Sequence, residues 1–88
     1  MSVTVHLSTH VRSYTKGKAT VEADGTTLAE LMSDLDRRFP GLKFRVIDEQ
    51  DRIRTHMNFF ISGDRTRDLS QPIAPGQEVH ILGALSGG

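Results

Sequence analysis

The chain closes on Gln77-Glu78-Val79-His80-Ile81-Leu82 followed by Gly83-Ala84-Leu85-Ser86-Gly87-Gly88. The first six of these residues read as a strand: Val79 and Ile81 alternate with polar neighbours, behind the turn-forming pair Pro75-Gly76. The next six carry little side-chain bulk and finish on two glycines. A last strand that runs directly into such a tail anchors it, and six extended residues span roughly 20 Å. Having no Cβ, Gly87 and Gly88 can pass through a narrow channel in a partner. The expectation is a body of residues 1–82 that holds out a flexible tail of residues 83–88.

Upstream, the period of the pattern separates one helix from the strands. Leu28, Leu31, Met32, Leu35 and Phe39 fall at i, i+3, i+4, i+7 and i+11, one stripe of an amphipathic helix. Thr27 with Glu30 three residues on is a capping-box signature, and Pro40-Gly41 stops the helix. Ser2 to Leu7 alternates Val3, Val5 and Leu7 against Thr4 and His6, as a half-buried strand does. After a polar stretch from Thr9, Lys16-Gly17-Lys18 reads as a hairpin turn into a returning strand, Ala19 to Ala23, ended by Asp24-Gly25. Arg52 to Ser62 is predicted as a second long strand with Met57, Phe59 and Ile61 on one face, closed by Gly63-Asp64. Leu42 to Ile47 fits either a strand or a short helical turn that would bury Phe44 and Ile47. Thr66 to Ile73 is an irregular crossing with Leu69 and Ile73 plugging the core. One helix laid across a small mixed sheet makes a two-layer α+β domain, whose strand order the pattern does not determine.

Eighty-eight residues suffice for one small core. Eleven Lys and Arg balance eleven Asp and Glu, so no net charge draws the chain to nucleic acid or to an anionic membrane. The charge is unevenly spread, with eight basic and four acidic side chains in residues 37–67 against three and seven elsewhere. An ordinary solvated face accounts for this; a docking surface for an acidic partner is the sharper reading. The absence of cysteine excludes disulfides, a thiolate nucleophile and cysteine zinc sites. No secretion signal is apparent, and no stretch approaches the ~18 apolar residues of a membrane helix, so a cytoplasmic protein is expected. Of the histidines, His6 and His10 are spaced as metal ligands only on a helix, and they sit in strand and loop patterns; with His56 and His80 they read as scattered surface residues, and no metal is expected. No G-x-S-x-G elbow is present, and the arginines lack interleaved aromatics for RNA.

The opening Val3-Thr4-Val5, the helix Thr27-Leu28-Ala29-Glu30-Leu31, the strand Met57-Asn58-Phe59-Phe60-Ile61, the closing strand and the terminal Leu85-Ser86-Gly87-Gly88 follow one another in a familiar order. Over the whole chain they resemble the ubiquitin-like β-grasp sulfur carriers of the MoaD/ThiS group. Phe39-Pro40-Gly41, Asp48-Glu49 and Met57-Asn58 stand in the places they hold in its CysO-type branch. Where related carriers often have a proline, this chain has Gly83.

The resemblance implies that Gly88 is the modified residue. An α-carboxyl group with its reference pKa of ~3.5 is ionised at neutral pH and is a poor acyl donor. Adenylation supplies a leaving group, and a sulfur nucleophile then gives a C-terminal thiocarboxylate. The chain has no phosphate-cradling loop, so no cofactor is expected on it, and ATP is used by a partner, a ubiquitin-activating-type adenylyltransferase with a persulfide or sulfide source behind it. A sulfur-accepting synthase is the second partner. The chain would be a monomer when free and a cosubstrate rather than an enzyme. Leu85, Ser86 and Gly87 would line the partner's tunnel. If Met57, Phe59 and Ile61 face the helix, then Phe60, His80 and Leu82 lie on the sheet's open face, where Phe60 and Leu82 form a small exposed apolar patch. In β-grasp carriers that face docks the activating enzyme. The acceptor stays open among a cysteine precursor, molybdopterin, thiamin's thiazole and a secondary metabolite. The rival function is a ubiquitin-like modifier joined to lysines through Gly88, although Lys16, Lys18 and Lys43 are the only lysines available for chains of the modifier itself.

Overall fold

The computed structural model describes residues 2–83. Strand β1 (Ser2–Leu7) pairs antiparallel with β2 (Thr20–Asp24) and parallel with the last strand, β5 (Glu78–Gly83). On its other side β5 pairs antiparallel with β3 (Met57–Ile61), which makes a hairpin with the short edge strand β4 (Asp64–Thr66). The five-stranded order is β2-β1-β5-β3-β4, so the final strand is the central one. The main helix α1 (Leu28–Arg38) lies across one face, giving the β-grasp arrangement expected. Strand β5 continues one residue past the expected boundary at Leu82, and Gly83 is still part of the sheet.

Alternation decides which side chains meet the helix. Val3, Val5 and Leu7 of β1, Val79 and Ile81 of β5, and Met57, Phe59 and Ile61 of β3 are all buried, together with the stripe Leu28, Leu31, Met32 and Leu35. The Thr27 hydroxyl accepts the Glu30 N–H at 3.2 Å, as a capping residue should. The Glu30 carboxylate, however, returns to Thr26 rather than Thr27, taking its N–H at 2.8 Å and its hydroxyl at 2.6 Å. The first-turn N–H groups of Leu28 and Ala29 donate to the carbonyls of Gln71 and Leu69, so the crossing before β5 satisfies donors that the helix cannot. Leu69 and Ile73 on that crossing pack against the core as predicted. Gly25, in the turn between β2 and α1, is required by closeness: a Cβ there would lie 2.5 Å from the Leu31 nitrogen.

Four local readings are corrected. Thr9–Thr15 is a 3-10 helix that buries Val11 and Thr15, and the turn at Lys16 and Gly17 is its exit, with φ values of 57° and 83°. Of the two readings of Leu42 to Ile47 the helical one holds, as α2 (Leu42–Val46) with Leu42, Val46 and Ile47 buried, but Phe44, expected inside, turns outward, 58% exposed. The long strand from Arg52 is confined to Met57–Ile61, because the preceding backbone makes its hydrogen bonds elsewhere. Ile53 bridges Ile47 around a turn organised by the Asp48 carboxylate, and the Arg67 guanidinium takes the Ile53, Arg54 and Met57 carbonyls. The strand ends in a hairpin turn at Ser62 and Gly63, φ 49° and 90°, so Asp64 opens β4 instead of terminating β3.

Asp34, on α1, ties the helix to β2. Its carboxylate accepts the Asp24 N–H at 2.8 Å and pairs with Arg37 and Arg38, and these contacts, the backbone bond foremost, lower its pKa from 3.8 to about 2. A depressed carboxylate pKa contributes stability that is complete above the ordinary value and is lost as pH falls through the folded one. Asp34→Asn is therefore expected to lower the denaturant midpoint at neutral pH. Its deficit against the parent should shrink in acid titrations as pH falls from about 4 towards 2. A deficit that stays constant over that range would contradict the assignment.

Candidate functional site

The open face of the sheet carries one continuous row. Thr20 of β2 stands opposite His6 of β1, His6 opposite His80 of β5, His80 opposite Phe60 of β3, and Phe60 opposite Arg65 of β4. The His6 and His80 rings stack with centroids 4.4 Å apart and planes 12° from parallel. His6 Nε2 is hydrogen-bonded to the Glu78 carboxylate, which fixes the outer ring of the stack. The two histidines are therefore a pair, not scattered surface residues. Among the described residues no group of three or more His, Cys, Asp or Glu could hold a metal ion, and no helix is long and apolar enough to cross a membrane.

Leu82 and Asn58 face each other in the next position toward the end of β5. The predicted patch of Phe60 and Leu82 is brought together on adjacent strands, with one correction. Leu82 is exposed, whereas Phe60 is half-buried, flanked in register by His80 and Arg65. The exposed part of the patch is narrower than alternation alone suggests.

The root of the chain's end is held from both sides. Gly83 stands opposite Met57, the first residue of β3. Its N–H points the other way, toward β1, and donates to the Ser8 hydroxyl at 3.0 Å, while the Ser8 N–H donates to the Ile81 carbonyl at 3.0 Å. Strand β1 has ended at Leu7, so the Ser8 side chain supplies the acceptor that a further ladder residue would have supplied. This residue was not foreseen; its only signal is a serine placed directly after the alternating run. Leu85, Ser86, Gly87 and Gly88 lie outside the described residues. Phe44 and Arg54 were also missed. Nε of Arg54 donates to the Phe44 carbonyl at 2.9 Å and its guanidinium sits 4.7 Å above the Phe44 ring.

The ThiS family matches residues 5–88. The chain belongs to the ThiS family. Within reach of this ThiS-family chain is the sulfur carrier protein CysO of Mycobacterium tuberculosis, 34% identical over 93 residues that cover all of both chains. A chain of the crystallised BexX/CysO complex from Amycolatopsis orientalis superposes with a TM-score of 0.90 at 31% identity, covering 98% of this chain and 99% of that one. The SAMP1 crystal structure from Haloferax volcanii, with a TM-score of 0.84 at 24% identity over the whole of both chains, shares the fold. The β-grasp architecture is thus shared with carriers whose sequences align end to end with this ThiS-family chain.

Removing the Ser8 hydroxyl tests the root. Ser8→Ala is expected to cost about 0.5–1.5 kcal/mol in chemical denaturation, the net worth of one hydrogen bond. Exchange of the Gly83 amide proton should accelerate by more than that of Ile81. Equal protection of Gly83 in both proteins would show that the bond does not hold the root.

Proposed function

We propose that this chain is a sulfur carrier whose Gly88 α-carboxylate is the working group. The observation that carries the reading is the end-to-end identity of 34% with the CysO sulfur carrier, in a chain whose sequence here finishes on Leu85-Ser86-Gly87-Gly88. A central last strand supports it, because Gly83, its final residue, stands at the middle of the sheet's end. The working division is a folded body as far as β5 and a short tail from there to Gly88.

In this reading the chain is cosubstrate and donor, acting in the cytoplasm, while catalysis belongs to its partners. An adenylyltransferase joins the carboxylate to the AMP moiety of ATP and releases pyrophosphate. A sulfide nucleophile attacks the acyl carbon, AMP leaves, and the chain ends in a thiocarboxylate. That sulfur is then passed to an acceptor bound by a synthase, for cysteine, molybdopterin, thiamin or a secondary metabolite. Leu85, Ser86 and Gly87 would occupy the activating enzyme's channel, and Phe60, His80 and Leu82 would rest against its surface. That a 31%-identical CysO chain is found in a complex with BexX supports a carrier that docks on a second protein.

Intact-mass measurement on protein purified from its source is the direct test. A fraction shifted by one oxygen-to-sulfur exchange, located in the C-terminal peptide, is the expected outcome. Deleting Gly88 should abolish that shift and all sulfur transfer while changing stability by less than about 0.5 kcal/mol, as surface changes do. A chain that extends past Gly88 untrimmed, or a denaturing-gel ladder of lysine conjugates without the sulfur form, would overturn the reading, the latter in favour of a protein modifier.

A further inference from the structure

The end of the sheet at which β5 finishes is flanked by arginines, two of which, Arg54 and Arg67, belong to the basic stretch 37–67. On the β1 side, Arg12 Nε donates to the carbonyl of Leu7 at 3.0 Å, one residue before the Ser8 that holds Gly83. On the β3 side, Arg67 Nη1 donates to the carbonyl of Met57, the residue opposite Gly83, at 2.7 Å. Arg67 Nη2 also takes the Arg54 carbonyl at 3.0 Å, which brings the Arg54–Phe44 stack to the same end.

The acceptors of these three guanidinium groups are uncharged: main-chain carbonyls, and for Arg67 also the Asn58 amide oxygen at 3.4 Å. Among the described residues the ion pairs lie elsewhere, joining Arg37 and Arg38 to Asp34 and Asp24, and His6 to Glu78. A carbonyl orients a guanidinium without cancelling its charge, and an Arg that has spent one or two N–H groups still presents the others. Two fixed guanidinium groups, those of Arg12 and Arg67, thus sit on the strands that flank Gly83, β1 and β3, and a third, that of Arg54, stacks on Phe44, the most exposed large apolar side chain among the described residues.

We infer that this arginine collar is the seat for an acidic rim around the channel of the adenylating enzyme, an inference that rests on the carrier reading above. An enzyme that encloses the last residues must bring its channel mouth within five residues of Gly83, about 17 Å at full extension. An interface of about 800 Å² around that mouth extends over the strands on either side of β5, and so over Arg12, Arg54 and Arg67. A neutral or basic rim would take water from these charges without replacing it, whereas carboxylates complement them. Phe and Arg are also among the residues enriched at protein interfaces.

The test measures ATP–pyrophosphate exchange by the ubiquitin-activating-type adenylyltransferase of the source organism, with the full chain as the varied substrate. Arg12→Gln and Arg54→Gln are each expected to raise the KM for the carrier about two- to fivefold with kcat unchanged, and together by about the product. Arg12→Lys and Arg54→Lys, which keep the charge, should stay within about twofold, and added salt should narrow the gap between parent and glutamine variants. Arg67 is left intact because three carbonyls depend on it, and denaturation midpoints monitor folding of each variant. Parent KM values in the glutamine variants would remove the collar alone, as would lysine variants that lose as much as the glutamine ones. A parent chain that supports no exchange and carries no sulfur would remove the carrier reading and the collar with it.

Discussion

The parallel pairing of β1 with β5 is the contact on which the rest of the structure depends. It joins Thr4–Leu7 to Glu78–Ile81, the two ends of the chain, and everything between them is the crossover that a parallel pair demands. Closing so long a loop is entropically costly, though the cost grows only with the logarithm of its length. The return is burial: Val5, Leu7, Val79 and Ile81 meet Leu28, Leu31, Met32 and Leu35 in one core. The same pairing makes β5 central, and a central strand has consequences on each of its sides. Its inner side chains pack under α1, its outer ones put His80 and Leu82 in the middle of the open face, and its end leaves the sheet beside Ser8 and Met57. Face and exit are one structural fact.

Much of this was legible because it is local. The stripe from Leu28 to Leu35 and the alternation of Val3, Val5 and Leu7 need only a helix period or a strand period, and both run as predicted. What was illegible depended on residues distant in sequence. Nothing within Arg52 to His56 signals that a strand pattern will fail there; the cause is Arg67, more than ten residues on, claiming carbonyls that a ladder would have used. Phe44 follows the same logic in miniature. Both the strand and the helical reading of Leu42 to Ile47 bury it, whereas the helix that forms sends Leu42 and Val46 inward at i and i+4 and leaves Phe44 facing solvent. The 3-10 helix at Thr9–Thr15 looked polar because its core contribution is little more than Val11, with Thr15 buried beside it.

The balanced net charge conceals a division of labour between the two signs. The carboxylates are largely engaged in organising backbone. Glu30 holds Thr26, Asp34 holds Asp24, Asp36 receives the N–H groups of Gly41 and Lys43, Asp48 those of Gln50 and Arg52, and Asp68 that of Ser70. The Thr26 hydroxyl on Glu30, the Ser70 hydroxyl on Asp68 and the Arg52 N–H on Asp48, each joined by a further N–H bond, stabilise the ionised form, which is why these three join Asp34 in having lowered pKa values. Arginines at the exit do the converse, binding carbonyls and keeping their charge available. The uneven distribution visible in residues 37–67 includes Arg54 and Arg67, whose hydrogen bonds go to carbonyls and to Asn58, although the Asp48 carboxylate lies within Coulombic reach of Arg54.

A carrier of this design has to be recognised mainly through its body. Beyond Gly83 the sequence offers one alanine, one leucine, one serine and two glycines, too few distinguishing atoms to select a partner unaided. A specific interface needs on the order of 800 Å² from each side. Five small residues cannot supply that area, and the glycines contribute passage rather than identity. In the carrier proposed above, selection would therefore fall to surfaces of the body that the partner meets as it takes up the last residues. The stacked histidines with Leu82 lie on the open face beside Gly83, and Arg12 and Arg67 bond carbonyls of the two strands that flank it. The central position of β5 is what places both within reach of a single docking event.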